Sequence, residues 1–258
     1  VGDDALLSNT TGANNVVLGS AAMEDNTTGI RNVALGHSAL NKNTTADHNT
    51  AVGSKALYSN TSGTQGVGIG YRALEASTTA TANIAIGYQA MYLNTTGGEN
   101  VAIGASTMDA NTTGGLNSAF GTAALGQNTT GSNNTALGYF ALNANTTAAN
   151  NTAVGYQAMV ANTTGTENTV IGYNVMDAAT TASYNVAMGV GALGSQTTGN
   201  QNVAIGRSSL DTSTTGAQNT AVGNHSLDAL TTGIYNTVVG YQAGDAITTG
   251  GYNVVMGS

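Results

Sequence analysis

The amino-acid sequence predicts an all-β fold, a parallel β-solenoid. Three observations carry the prediction: a repeat of fixed length, a strand-like segment in every copy, and charges confined to a few places in the repeat. Gly stands at residues 2, 19, 36, 53, 70 and onward to 257, every 17 residues with no insertion or deletion. With this glycine as position zero, Asn occupies −4 in 14 of 15 copies, Gly66 being the exception. Position −1 is always large and apolar, from Val1, Leu18 and Leu35 to Met256. Position +4 is Leu or Met except at Gly244, +8 is Thr in every copy, and +9 is Thr except at Ser62. Such phase-locking means that every copy fills an equivalent place in a repeat architecture.

A unit of 17 residues is too short for a helix pair, and Gly, Thr and Asn are poor helix formers. One solenoid coil fits it, with a short β-branched strand and turn residues in each copy. The strand is the segment N-V-A-I-G, whose alternation puts −3 and −1 on one face. These bulky positions are expected to point inward. The bends follow at the glycine and at N-T-T-G, because Gly takes positive φ freely and Asn tolerates it. Stacking about fifteen such coils, roughly 4.8 Å apart, makes a rod on the order of 70 Å long.

Charge placement supports a narrow interior. All 18 charged residues fall at +1, +2, +5, +6, +11 or +12, and all eleven Tyr at +1, +5 or +12. An unpaired charge inside is very costly, so these positions mark the solvent side. Position −2 then faces outward in this reading, yet it is never polar. It is Ala34, Ala51, Ala85, Ala102, Ala119, Ala136, Ala153, Ala187, Ala204 or Ala221 in ten copies, Val in four and Gly68 in one. An outward file of small apolar residues is expected to pack against a neighbouring chain in a multi-chain fibre.

Composition narrows the function. The 258 residues are 7% charged with a net charge of −8, which disfavours nucleic acid or an anionic membrane as partner. There is no Cys, hence no disulfide framework or thiolate metal site. No apolar run reaches membrane-spanning length and no signal peptide opens the chain. Residues 1–258 read as a single array without capping repeats. Bare strand edges invite association, so the array is expected to be an excerpt of a longer fibre or to stack end to end.

At N-V-A-I-G (Asn100 to Gly104, Asn202 to Gly206) and N-I-A-I-G (Asn83 to Gly87) the chain resembles the head repeats of YadA-like trimeric autotransporter adhesins. The wider array looks like repeats of phage tail-fibre-like proteins. The resemblance spans the chain but rests on a five-residue core. It implies a left-handed parallel β-roll, three chains side by side, and an extracellular fibre used in attachment at a cell or virion surface. This chain's repeat is longer than the family's, so its coil carries an enlarged bend.

Several candidate sites compete with plain structural roles. The N-T-T triplets match N-glycosylation sequons at Asn9, Asn26, Asn43, Asn60, Asn94, Asn111, Asn128, Asn145 and Asn162. Six copies replace this Asn yet keep the Thr pair, which favours a bend role, with Asn stacking from coil to coil. Thr files raise ice binding, but adjacent Thr diverge and leave one outward file. Acidic residues at +5 (Glu24, Glu75, Asp109, Asp177, Asp211, Asp228, Asp245) form an edge without the six to eight oxygens a calcium ion needs. His37, His48 and His225 are scattered, and no catalytic constellation or cofactor motif is present. The expectation is a structural fibre without enzymatic activity, cofactor or metal. Its partner is itself, as a homotrimer or end-to-end polymer, with cell-surface carbohydrate as a further partner. An ice- or glycan-binding solenoid is the alternative.

Overall fold

The structure, a computed structural model, describes residues 2–257; Val1, the first of the −1 residues, lies outside them. It is a parallel β-solenoid with one three-residue strand per coil. Two compact units divide the chain, residues 1–132 and residues 133–258. The first holds β1 (Val16–Leu18), β2 (Val33–Leu35), β3 (Thr50–Val52), β4 (Val67–Ile69), β5 (Ile84–Ile86), β6 (Val101–Ile103) and β7 (Ser118–Phe120). The second holds β8 (Thr135–Leu137), β9 (Thr152–Val154), β10 (Thr169–Ile171), β11 (Val186–Met188), β12 (Val203–Ile205), β13 (Thr220–Val222), β14 (Thr237–Val239) and β15 (Val254–Met256). Within each unit consecutive strands pair in parallel, each residue opposite its equivalent in the next coil, as in Ile84↔Val101 and Thr152↔Thr169.

The strand faces are the reverse of the sequence expectation. In the inner coils the middle residue of each strand is buried and its two flanking residues are partly or fully exposed. Ala34, Ala51, Ala85, Ala102, Ala119, Ala136, Ala153, Ala187, Ala204 and Ala221 are all fully buried within the chain itself. They have no surface to offer a neighbouring chain, so position −2 is core and not a chain–chain interface. The physical reason is width. A Cβ built at Gly68, also at −2, lies 3.3 Å from Leu57 Cγ and 3.2 Å from the Ala73 carbonyl oxygen. The strand therefore meets the buried +4 side chain almost directly, and nothing larger than Val stands between them. Coil after coil, Ala at −2 and +3 packs around a fully buried Leu or Met at +4, as with Ala85, Ala90 and Met91. Burying each such Leu or Met stabilises the coil by about 1.5–3 kcal/mol. Where +4 is Gly244, the facing −2 residue is Val238, whose Cγ1 lies 3.3 Å from a Cβ built on that glycine.

The bends take left-handed backbone at +2, +4 and +12 of each coil, for example Ser38 (φ 54°), Leu40 (50°) and His48 (61°). A non-glycine residue there costs about 1–2 kcal/mol. None of these positions carries Val, Ile or Thr, although the chain is rich in all three. A second substituent on Cβ makes this conformation still worse. Leu and Met are the large apolar residues that can turn this corner while filling the core.

Two Asn ladders run along the coils. At −4, the Asn100 backbone N–H donates to Asn83 Oδ1 at 2.9 Å, and its Nδ2 donates to the Gly114 carbonyl at 2.9 Å. At +7, Asn43 Nδ2 donates to Asn26 Oδ1 (2.8 Å) and to the Ala46 carbonyl (3.2 Å). This second ladder breaks at Ser77, and the buried Asn60 Oδ1 is left without a hydrogen-bond partner among the described residues. Ser77→Asn is expected to supply the missing donor in a space that other coils already fill with Asn. It should stabilise the chain by about 1 kcal/mol, read as a higher urea midpoint; an unchanged or lower midpoint would contradict the ladder's energetic role.

Candidate functional site: an uncharged outward sheet face

Because −2 is inside, the strand pleat turns −3 and −1 to solvent. Within each unit these side chains form two parallel columns along the sheet. Position −1 is large and apolar throughout, and Phe120, Leu137, Ile171 and Ile205 are 37–47% exposed. Position −3 alternates among Val, Ile, Thr and Ser118, and Ile84 is 36% exposed. No charged residue stands in either column. The −1 column is apolar throughout, while the −3 column mixes Val and Ile with Thr and Ser118; contiguous apolar patches on a solvated face mark sites of interaction.

Tyrosines border this face at +1. The register carries each ring onto its equivalent in the next coil, so Tyr71 and Tyr88 stack with centroids 5.6 Å apart. Tyr139, Tyr156 and Tyr173 form a column at 5.5 and 5.1 Å, with planes within 9° of parallel. Rings stacked in this way spend their faces on one another and present edges and hydroxyls to solvent. A sugar ring seeking an open aromatic face finds it covered along these columns.

The sequon asparagines are structural. Asn26, Asn43, Asn60, Asn94, Asn111, Asn128, Asn145 and Asn162 are buried, and Asn9 is half-buried with Nδ2 donating to the Gly12 carbonyl at 3.0 Å. Asn162 Nδ2 donates to Asn145 Oδ1 at 3.1 Å and to the Gly165 carbonyl at 3.0 Å. An amide nitrogen held inside by these bonds is not an acceptor for a glycan on the folded chain. Of the Thr pair, the +8 hydroxyl is spent along the axis, as where Thr112 Oγ1 donates to the Thr129 carbonyl at 2.9 Å. The +9 residues are exposed in every coil, and within each unit they make a single file of hydroxyls.

The acidic +5 positions stay at the surface but are not freely solvated. Burial raises the carboxyls of Asp109 and Asp177 above the usual range. Burial, followed by the nearby Asp228 carboxylate, does the same to Asp211. Glu75 pairs with Arg72, and the His225 Nδ1 lies 3.1 Å from Asp228 Oδ2. Among the described residues, no three His, Asp or Glu gather as a metal site and no cavity opens. No helix among them is long and apolar enough to cross a membrane.

The sequence reading thus had the exposed Tyr and charged positions outside correctly, and missed the −1 and −3 columns. Their signal was present: −2 is restricted to Gly, Ala and Val, while −1 and −3 accept residues from Ser118 to Phe120. A tight size limit without polarity is a mark of interior packing. Compared with protein-family models, curated proteins and solved structures, the chain matches none of them.

Proposed function

We propose that the chain is a length of extracellular structural fibre, an adhesin or tail-fibre shaft serving attachment, whose copies lie side by side on their outward sheet faces. Three copies is the arrangement implied by the sequence resemblance. The observation that supports this reading is the uncharged outward face, on which a wholly apolar −1 column runs beside a −3 column of Val, Ile, Thr and Ser. A second copy is the partner that suits it. The face repeats at the spacing of the coils, so another solenoid matches it coil for coil, whereas a globular partner matches only a few coils. With charges kept to other columns, nothing on the face needs a countercharge. The axial ladders supply the mechanical part. Pulling along a unit must break parallel strand bonds, Asn bonds and Thr bonds in each coil together.

The test is the mass of the full chain in solution by light scattering. A multiple of the single-chain mass is expected at micromolar concentration, and Ile205→Asp should shift it towards one chain while the circular-dichroism spectrum is retained. A single-chain mass for the unaltered protein would refute lateral assembly. The exposed +9 file favours the second reading, an ice- or glycan-binding module, which retention on ice or on immobilised glycans would reveal. It is one column wide, which gives a crystal surface little to match.

A further inference from the structure

Few side chains in this protein can answer an oxidant. The chain has neither Cys nor Trp. Of its seven Met, Met23, Met91, Met108, Met159 and Met176 are sealed inside their coils, leaving Met188 half-buried and Met256 exposed. Phenol rings are the oxidisable groups that face solvent in number. Their placement is not random, because Tyr139, Tyr156 and Tyr173 occupy the same position of three consecutive coils. The parallel register brings their ring centroids to 5.5 and 5.1 Å with planes 8° and 9° apart. Each ring is nonetheless 41–52% exposed, open to a small oxidant or to the edge of an enzyme.

We infer that the Tyr139–Tyr156–Tyr173 column is a modification site at which a peroxide-driven one-electron oxidant, such as a haem peroxidase, joins successive coils by dityrosine bonds. Two tyrosines each give up one electron and the phenolic proton. The resulting phenoxyl radicals carry spin on the ring carbons next to the C–O carbon, and a Cε–Cε bond forms between neighbours. The hydrogen on each bonded carbon then moves to its phenolic oxygen, which restores both aromatic rings. Overall the pair loses two hydrogen atoms and one hydrogen peroxide becomes two waters. The fold selects the partners. Adjacent coils hold the rings in contact, so rotation about χ1 and χ2 brings the reacting carbons together, whereas Tyr139 and Tyr173 are kept apart by the ring between them. The product fastens one coil to the next by a covalent bond parallel to the hydrogen-bond ladders. Tyr71 and Tyr88, stacked at 5.6 Å, form a second pair of the same kind.

The experiment treats the full chain with a haem peroxidase and hydrogen peroxide, using a mixture of light- and heavy-nitrogen protein. Dityrosine fluorescence should appear, and peptide mapping should join Tyr156 to Tyr139 or Tyr173 in links that are isotopically pure, hence within one chain. Tyr184, whose counterparts in adjacent coils are Glu167 and Gln201, should stay unlinked. Tyr156→Phe preserves the stacked ring and the fold, and it should abolish links in this column while leaving the Tyr71–Tyr88 link. Absence of dityrosine, links chiefly between light and heavy chains, or a column yield unaffected by Tyr156→Phe would each overturn the inference.

Discussion

Gly155→Ala is expected to break the second unit at that coil, with a loss of more than about 4 kcal/mol, the range reserved for severe backbone and packing faults. Gly155 has φ 134°, a conformation that L side chains rarely adopt, and a Cβ built on it lies 2.0 Å from the Gly172 carbonyl oxygen. That oxygen belongs to the next coil's backbone, which the strand ladder holds at a fixed spacing of about 4.8 Å. No flexible side chain can give way, so the coils themselves must part. Because each repeat depends on its neighbours, the fault should appear as earlier urea unfolding and as loss of cooperativity between coils. Gly165→Ala is the internal control. A Cβ built there lies as close to the next coil, 2.1 Å from the Ala182 carbonyl oxygen. Its position nonetheless carries Ala46, Ala80, Ala148 and Ala182 in other coils, so the stack can adjust to that methyl group, and its φ is outside the left-handed region. A much smaller loss is expected there. Equal losses at the two sites would mean that crowding alone, and not the glycine backbone, governs the stack.

The repeat made the architecture legible. A fixed 17-residue period with a strand-like segment leaves few alternatives to stacked parallel coils, and the pairing of each strand residue with its equivalent follows directly. Polarity also worked where it is decisive: the charged residues at +1, +2, +5, +6, +11 and +12 lie outside the core, as the cost of burying charge requires. Alternation could not decide which strand face is inside. It separates Ala102 from Val101 and Ile103 without saying which set is inward, and the usual rule that bulk goes inside fails in a coil this narrow. The core obtains its bulk from Met91 or Leu125 at the corner, so the strand contributes only Gly, Ala or, as at Val170 and Val238, Val. A weaker signal lay in residues that never occur. Val, Ile and Thr are absent from +2, +4 and +12, the three left-handed bends of each coil, but also from −4, 0 and +10, so their absence alone does not single out the bends. What the period could not carry is the surface beyond one coil. The Tyr139–Tyr156–Tyr173 column and the continuous −1 file exist only because equivalent residues are brought side by side by the register.

Ala204 and Ile205 are consecutive, and the same substitution in each should have opposite consequences. Ala204 is fully buried while Ile205 is 37% exposed. Ala204→Asp sets a carboxylate against the apolar core, where the neighbouring −2 residues are Ala187 and Ala221 and the backbone donors of the strand are already committed to the ladder. Among the described residues no cation is buried there to pair with the charge. The nearby buried Ser209 hydroxyl is already engaged with the Ala221 carbonyl and with Ser226, so the protein must either protonate the carboxylate or expel the strand. A loss of more than about 4 kcal/mol is expected, seen as a collapse of the β circular-dichroism signal under conditions where the unaltered chain is folded. Ile205→Asp sets the same charge on the outer face, in water if the chain is alone and in a dry interface if copies are packed there. The coil survives in either case, and only the mass of the particle changes. The pair therefore separates two ideas that a single variant would confuse. A folded, dissociated Ala204→Asp protein would return position −2 to the surface, and a folded Ile205→Asp protein of unchanged mass would remove the outward face from the assembly.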